Sequence, residues 1–523
     1  MTHMEPQDEM IGPQPVEASK ISAADAQRDH VRGSSLMVVG RMISMVINLG
    51  VHVASVQYLG ETDYGVFAYA LAISSLAASA SLFGQDRALG RFLPLYDESG
   101  SYGKGQGAIA VAFATVFLLG SSIVAMIIGL HAVGFDITSD ERAIATLLIL
   151  IAVAPFTAID TLFVSLFAVV AKPRAIFWRR HVLTPLLRLA SVLGVIATAG
   201  SVERLAVFYL AAGVIGVALY AVMAVRAIRP LPLGARHQRV YPFGELYRFG
   251  GPMVSSDVAQ ALRATLVVIF LEALRSVDDV GAFRAVLPLA QLNAVAMQSF
   301  KLLYLPVAAR MFGRDDNKSV ADLYWQSAAW LAVGTFPIFV ATFSFAEPLT
   351  RYVLGEEFVT SATSLAVLSF GYYVSSALGL NALTLKASGR VKLVVAVDTG
   401  TAILALGLNL VLISRYGALG AALATTGILL IQNLLVHLGL RRILDGLPFP
   451  STHRKAYVWV ACGAGILLAV QSLLNPPLIV SVAIGMATSL VVLMRNRDVL
   501  MLGDTFPELA KIPFLGKIIG ATS

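Results

Sequence analysis

Apolar stretches of about twenty residues, separated by short polar connections, recur along nearly the whole chain, each long enough to cross a hydrocarbon core as a helix. The pattern predicts fourteen membrane-spanning helices, at about 34–58, 64–88, 106–131, 143–170, 182–200, 205–227, 249–274, 281–305, 321–345, 363–385, 391–413, 417–440, 456–474 and 477–494. The ~10-residue alternating segments of a membrane barrel are absent from the pattern. The chain also repeats itself at an offset of about 216 residues: Tyr64-Gly65-Val66-Phe67 returns as Val280-Gly281-Ala282-Phe283, and Ala171-Lys172-Pro173-Arg174 as Ala387-Ser388-Gly389-Arg390. An even number of spans separates the copies, so both share one topology and are expected to be related by a pseudo-two-fold axis along the membrane normal. The expected architecture is an all-α polytopic membrane protein with two six-helix lobes in parallel repeat, at 34–228 and 249–442. A cytoplasmic linker at 229–248 joins them, and two further helices follow within 443–495. Two such lobes imply a cleft, the geometry of an alternating-access transporter.

Polar positions inside the spans are periodic. Arg41, Ser44, Asn48, His52 and Ser55 share one face of the first span, Ser256, Gln260 and Arg263 one face of the seventh, and Arg284, Pro288, Gln291 and Gln298 one face of the eighth. Three polar faces from the starts of the two copies fit a central cavity, with Asn48, Gln260 and Gln291 among its polar lining.

Composition agrees: 57% of the residues are hydrophobic and 14% charged, more apolar than a water-soluble core of this size requires. The net charge of +7 is a topology signal rather than a nucleic-acid footprint. Lys and Arg crowd alternate connections, such as those holding Arg226, Arg229, Arg236, Arg239 and Arg248 or Arg441, Arg442, Arg454 and Lys455. The opposite connections hold Glu61, Asp63, Asp278, Asp279, Glu356 and Glu357. The positive-inside rule then puts both termini in the cytoplasm. Residues 1–33 are polar, with Pro13 and Pro15 and no apolar core, and are expected to be a disordered cytoplasmic tail; 496–523 form the cytoplasmic tail at the other end. The single cysteine, Cys462, excludes an intrachain disulfide and fits a buried or lipid-facing position.

Arg41, Arg188, Arg263, Arg284 and Lys301 are the cations left within the spans. A cation at mid-membrane costs roughly 2.5–3.5 kcal/mol on insertion scales, so one retained there faces a wet cavity or a partner. Arg41, Arg188, Arg284 and Lys301 lie near enough to a membrane face to snorkel. Arg263 is near the middle of its span, where the alternatives are the cavity or a structural ion pair. A cationic cavity suits an anionic cargo, and guanidinium groups match diphosphate better than a neutral sugar or a cationic drug. Asp160 and Asp398 lie in otherwise apolar spans and are candidates for a coupling H+ or Na+, or for structural hydrogen bonding. The chain has no phosphate-binding loop for ATP hydrolysis and no metal-ligand motif, and neither a catalytic group nor a cofactor is expected. Two rivals remain: an ion-coupled multidrug exporter on the same scaffold, and a membrane-bound polysaccharide polymerase. The polymerase normally needs a sizeable outer loop, whereas the longest here runs from about 346 to 362.

The stretch Tyr58-Leu59-Gly60-Glu61-Thr62-Asp63-Tyr64-Gly65-Val66-Phe67, with Gly84 and Arg91-Phe92 after the next helix, resembles the opening signature of Wzx-type polysaccharide flippases. Its counterpart runs from Phe249-Gly250-Gly251-Pro252 through Val280-Gly281-Ala282-Phe283 to Leu305-Pro306. A third block holds Ala387-Ser388-Gly389-Arg390, Leu408-Asn409-Leu410 and Leu412-Ile413-Ser414-Arg415-Tyr416-Gly417-Ala418-Leu419-Gly420-Ala421-Ala422. Together they are similar to the polysaccharide transporter branch of the multidrug/oligosaccharidyl-lipid/polysaccharide exporter superfamily. The resemblance implies movement of undecaprenyl-diphosphate-linked oligosaccharide across a bacterial inner membrane for surface polysaccharide biosynthesis, with polysaccharide assembly proteins as partners. It also implies basic lumen residues for the diphosphate, the role that periodicity gives to Arg41, Arg263 and Arg284. Fourteen helices resemble the lipid II flippases as well, whose last two form a groove for the lipid tail, whereas many Wzx proteins have twelve.

Overall fold

The computed structural model describes residues 23–136, 138, 140–170, 173–235, 237–378, 380–444, 446–447 and 449–501, with the side chains of 23–39, 173–174, 255–257, 259–260, 263–264 and 302–303 excepted. Every regular element among the described residues is helical. Ten helical stretches there are long and apolar enough to cross a membrane. Two of them, Gly40–Glu98 and Val391–Arg441, are each a pair of spans joined at a break. The breaks fall at Gly60 (φ 72°) and Gly417 (φ 53°), a left-handed backbone that glycine adopts without a Cβ penalty. Phe243–Leu274, and Asn317–Gly334 followed by Phe336–Thr342, supply the seventh and ninth spans. The helices among the described residues are thus roughly compatible with the fourteen expected spans.

Several boundaries differ from the sequence pattern. The first helix already includes Ala23, the first described residue, and so extends into the predicted tail. Residues 1–22 and 502–523 of the predicted tails lie outside the described residues. The linker meets the start of the third span, where Val240 N–H donates to Gly103 O (3.1 Å), and the seventh span begins at Phe243 rather than 249. The outer connection predicted at 346–362 is largely helical, with Ala346–Val353 and a tighter turn at Glu356–Ser361. The fifth span begins early: Pro173–Ile176 runs into a π-helical turn, Phe177–Leu183, before Thr184–Ala197.

The lobes meet through a symmetric contact. A Cβ on Gly65 would lie 1.9 Å from Val277 O, and one on Gly281 would lie 2.1 Å from Glu61 O. The repeat offset exchanges position 65 with 281 and 61 with 277, so each lobe offers the other the same surface, as a two-fold axis requires. Around this point Tyr64, Val66 and Phe67 of one lobe and Val280, Phe283 and Val286 of the other belong to a single buried apolar cluster. The outer ends of the lobes are therefore closed on each other by burial of apolar surface. At the other end of the first span Arg41 is exposed and Ser44 is 8% exposed, whereas Val56, nearer the Gly60 break, is 0% exposed.

The last two spans, Ser451–Leu474 and Leu478–Arg495, pack against the ninth through Phe336, Phe339 and Val340. Cys462 is an exposed free thiol on the first of them, the outward-facing alternative of the two expected.

Candidate functional site

The polar face of the first span is organised by its bonds. Ser44 Oγ is 3.2 Å from His181 Nδ1, tying the first span to the π-helical turn of the fifth, and Asn48 Nδ2 donates to Ser44 O (2.7 Å). His52 Nε2 donates to Ala285 O (2.8 Å) across the lobes, which leaves Nδ1 as acceptor for Tyr64 O–H (3.1 Å). Arg284, half-buried on the eighth span, lies within electrostatic range of both His52 and Tyr64. Gln291 is exposed and donates to Tyr372 O–H (3.2 Å). The seventh span carries Gln260 and Arg263, whose side chains lie outside the described residues.

Arg41 extends this polar face to the end of the span away from the Gly60 break. It is exposed, and it lies within electrostatic range of His181 in its own lobe and Lys301 in the other. Lys386, assigned to a connection by its position in the sequence, is a further cation facing Lys301. Among the described residues, no ion pair joins Arg41, Arg284, Lys301 or Lys386 to an acid. Like charges gathered without counter-charges repel one another, so this end of the cleft attracts anions.

The two intramembrane carboxylates differ in their surroundings. Asp160 is ion-paired to Arg179, whose side chain is 4% exposed and whose guanidinium also donates to Thr184 Oγ1 and stacks over Tyr220 at 5.3 Å. Gly216 makes room for it, since a Cβ there would lie 2.6 Å from Arg179 Nη2. The sequence pattern left Arg179 in a cytoplasmic connection; the one-residue widening of the π-helical turn carries it inward. Asp398 Oδ1 accepts from Gln432 Nε2 (2.7 Å), between the eleventh and twelfth spans, and from no other side chain among the described residues.

At the outer end, the connections carry an acidic group. Glu61 N–H donates to Glu357 Oε2 (3.3 Å), and Asp279 Oδ1 accepts from Ala418 N–H (2.6 Å). Burial first, then the carboxylates of Asp278, Asp279 and Glu357, push the Glu61 carboxyl up to about 7. An acid whose pKa is raised by closure takes up a proton on closing. The closed form is thus favoured at low pH and loses that advantage as pH rises through about 7. Spin labels at Phe135 and Tyr352, on the outer sides of different lobes, should report a larger separated population at pH 8 than at pH 6. Glu61→Gln should flatten that pH dependence; an unchanged profile in the variant would assign it elsewhere.

A family model described as "Polysaccharide biosynthesis protein" matches residues 30–312. The fold is similar to that of the lipid II flippase MurJ in an inward closed conformation (TM-score 0.68, 16% identity, covering 91% of this chain and 100% of that one). It is also similar to an inward-facing multidrug resistance MATE family transporter of the MOP superfamily (TM-score 0.61, 14% identity, 79% of this chain and 98% of that one). A MATE structure in complex with MaL6 matches at a TM-score of 0.54, with 14% identity over 80% of this chain and 97% of that one. No curated protein matches the chain at a significant level.

Proposed function

The chain belongs to the polysaccharide biosynthesis protein family, and from that premise we propose that it moves undecaprenyl-diphosphate-linked oligosaccharide across the bacterial inner membrane by alternating access between its lobes. Both termini are cytoplasmic in this reading, and the protein transports without altering its cargo. The observation that carries it is the group of cations Arg41, Lys301 and Lys386, which form no ion pair among the described residues, at the end of the lobes away from the Gly65–Gly281 contact. A diphosphate offers several oxygens to guanidinium and ammonium donors, and each charge-assisted bond is worth ~1.5–3 kcal/mol. A cationic drug would meet repulsion at the same place.

Arg41 receives the diphosphate at the cytoplasmic entrance, Arg263 engages it centrally and Arg284 towards the outer exit. Asn48, Gln260 and Gln291 offer neutral hydrogen bonds to the glycan. The undecaprenyl chain stays in the bilayer or in a lateral groove, because drawing ~55 carbons into a polar lumen forfeits their hydrophobic stabilisation. Asp398 is the better placed carboxylate for a coupling H+ or Na+, since its one side-chain partner among the described residues is a neutral amide, whereas Asp160 is already held by Arg179.

The test is binding in detergent of a short-chain lipid diphosphate-oligosaccharide. Arg41→Gln should weaken it by about tenfold or more, the cost of one charge-assisted bond, and leave binding of a neutral glycolipid unchanged. Equal weakening of both ligands, or of neither, contradicts the assignment.

A further inference from the structure

We infer that the C-lobe carries a site for an anionic phospholipid of the cytoplasmic leaflet, separate from the transport cleft. A groove of about 540 Å³ lies where the ninth, tenth and twelfth spans meet the start of the thirteenth. Its walls are Trp325, Tyr373, Tyr457 and Phe449, with His437 beside them and Arg441 among the lining residues. The tyrosine hydroxyls are already engaged: Tyr373 donates to Ala332 O (2.6 Å) and Tyr457 to Ala377 O (3.1 Å). What the groove offers is therefore ring surface, suited to an acyl chain, within the ~300–1,000 Å³ typical of small-molecule sites.

The mouth supplies the opposite chemistry. Arg441 is exposed, and its Nε donates to Gly446 O (2.9 Å), which fixes the guanidinium on the connection that follows the twelfth span. Arg442 on the same connection, and Arg454 and Lys455 in the first turns of the thirteenth span, are exposed, and none of the four forms an ion pair among the described residues. Basic groups beside an apolar groove at the cytoplasmic face match an anionic headgroup with its chains in the membrane. A second feature marks the site as incomplete. Trp325 is 4% exposed, yet among the described residues its Nε1 has no hydrogen-bond partner, and neither has the buried Nδ1 of His437. Buried polar atoms are normally satisfied, and a glycerol-ester or phosphate oxygen is an acceptor of the kind the indole lacks. None of these residues belongs to the cleft, so the site does not depend on the transported cargo.

The chain has four tryptophans, and replacing Trp178, Trp330 and Trp459 by Phe leaves Trp325 as the sole emitter, shielded from bulk lipid. Vesicles free of lipid-linked glycan would contain brominated phosphatidylglycerol or brominated phosphatidylcholine at equal mole fraction in an unbrominated background. Phosphatidylglycerol should quench at about fivefold lower mole fraction, the preference expected from one basic residue at the surface. Arg441→Gln should remove most of that preference and Arg441→Lys should keep it. Equal quenching by both headgroups, or none by either, overturns the proposal. Native mass spectrometry of the wild type and Arg441→Gln in mixed micelles provides the same comparison without the tryptophan replacements; equal retention of the two lipids there is equally decisive.

Discussion

Gly281→Val is expected to prevent closure of the outer end and to reduce transport by about 100-fold. The Cβ would fall 2.1 Å from the Glu61 carbonyl oxygen, and because that atom is backbone no rotamer change relieves the overlap. Overpacking of a tight contact costs roughly 3 kcal/mol when neighbours cannot yield, and a bias of that size shifts a two-state equilibrium by about two orders of magnitude. An alternating-access cycle has to pass through the state with its outer end shut, so the penalty falls on transport more than on folding. Gly65→Val should act alike, because a Cβ on Gly65 would lie 1.9 Å from Val277 O in the symmetry-related position. Gly251→Ala is the control, since its Cβ would meet nothing within 4 Å. Spin-label distances between Phe135 and Tyr352 should lengthen in both valine variants and stay unchanged in the control. Normal transport by Gly281→Val would mean that this contact is not part of the cycle.

The second large effect concerns the cleft. Combined Arg41→Gln, Arg263→Gln and Arg284→Gln substitution should lower the translocation rate at least 100-fold while leaving thermal unfolding nearly unchanged. Each lost charge-assisted bond is worth ~1.5–3 kcal/mol, so even a sub-additive sum over three groups binding one diphosphate exceeds 3 kcal/mol. Folding should be spared at Arg41 and Arg284, which hold no ion pair among the described residues, and thermal unfolding of Arg263→Gln alone separates a cavity role from a structural ion pair at that position. Arg179→Gln is the contrast. It strips the buried partner from Asp160 and should destabilise the fold by about 3 kcal/mol. Retained translocation in the triple variant, with wild-type binding of the diphosphate lipid, would remove these arginines from the site.

The architecture was readable because bilayer thickness and the repeat are both written in local sequence. Span length gave the helices, and the turns at Gly60 and Gly417 fell where polar positions interrupt apolar runs. The polar face from Arg41 to Ser55 was readable from 3.6-residue periodicity alone. What periodicity could not reveal depends on contacts between distant segments. The repeat marked Gly65 and Gly281 as equivalent, but only the packed lobes show each against the other's backbone. Arg179 looked like an ordinary loop cation because a π-helical turn changes which residues face inward, and sequence spacing assumes a regular helix. Lys386 was set aside for a similar reason: its approach to Lys301 crosses two segments far apart in the chain. Periodicity places His52 on the polar face of the first span, but its partners, a carbonyl on the other lobe and a tyrosine beyond the Gly60 break, appear only in the packed fold.

The measurement that bears most directly on the proposed function is leaflet translocation of undecaprenyl-diphosphate-oligosaccharide in proteoliposomes of the purified wild-type protein, with an imposed H+ or Na+ gradient. Protein-free vesicles and Gly281→Val vesicles at matched protein content serve as references. The account predicts translocation by the wild type well above both references, and none of a phospholipid of matching charge. Wild-type rates equal to those of protein-free vesicles under every gradient and with several glycans would contradict it.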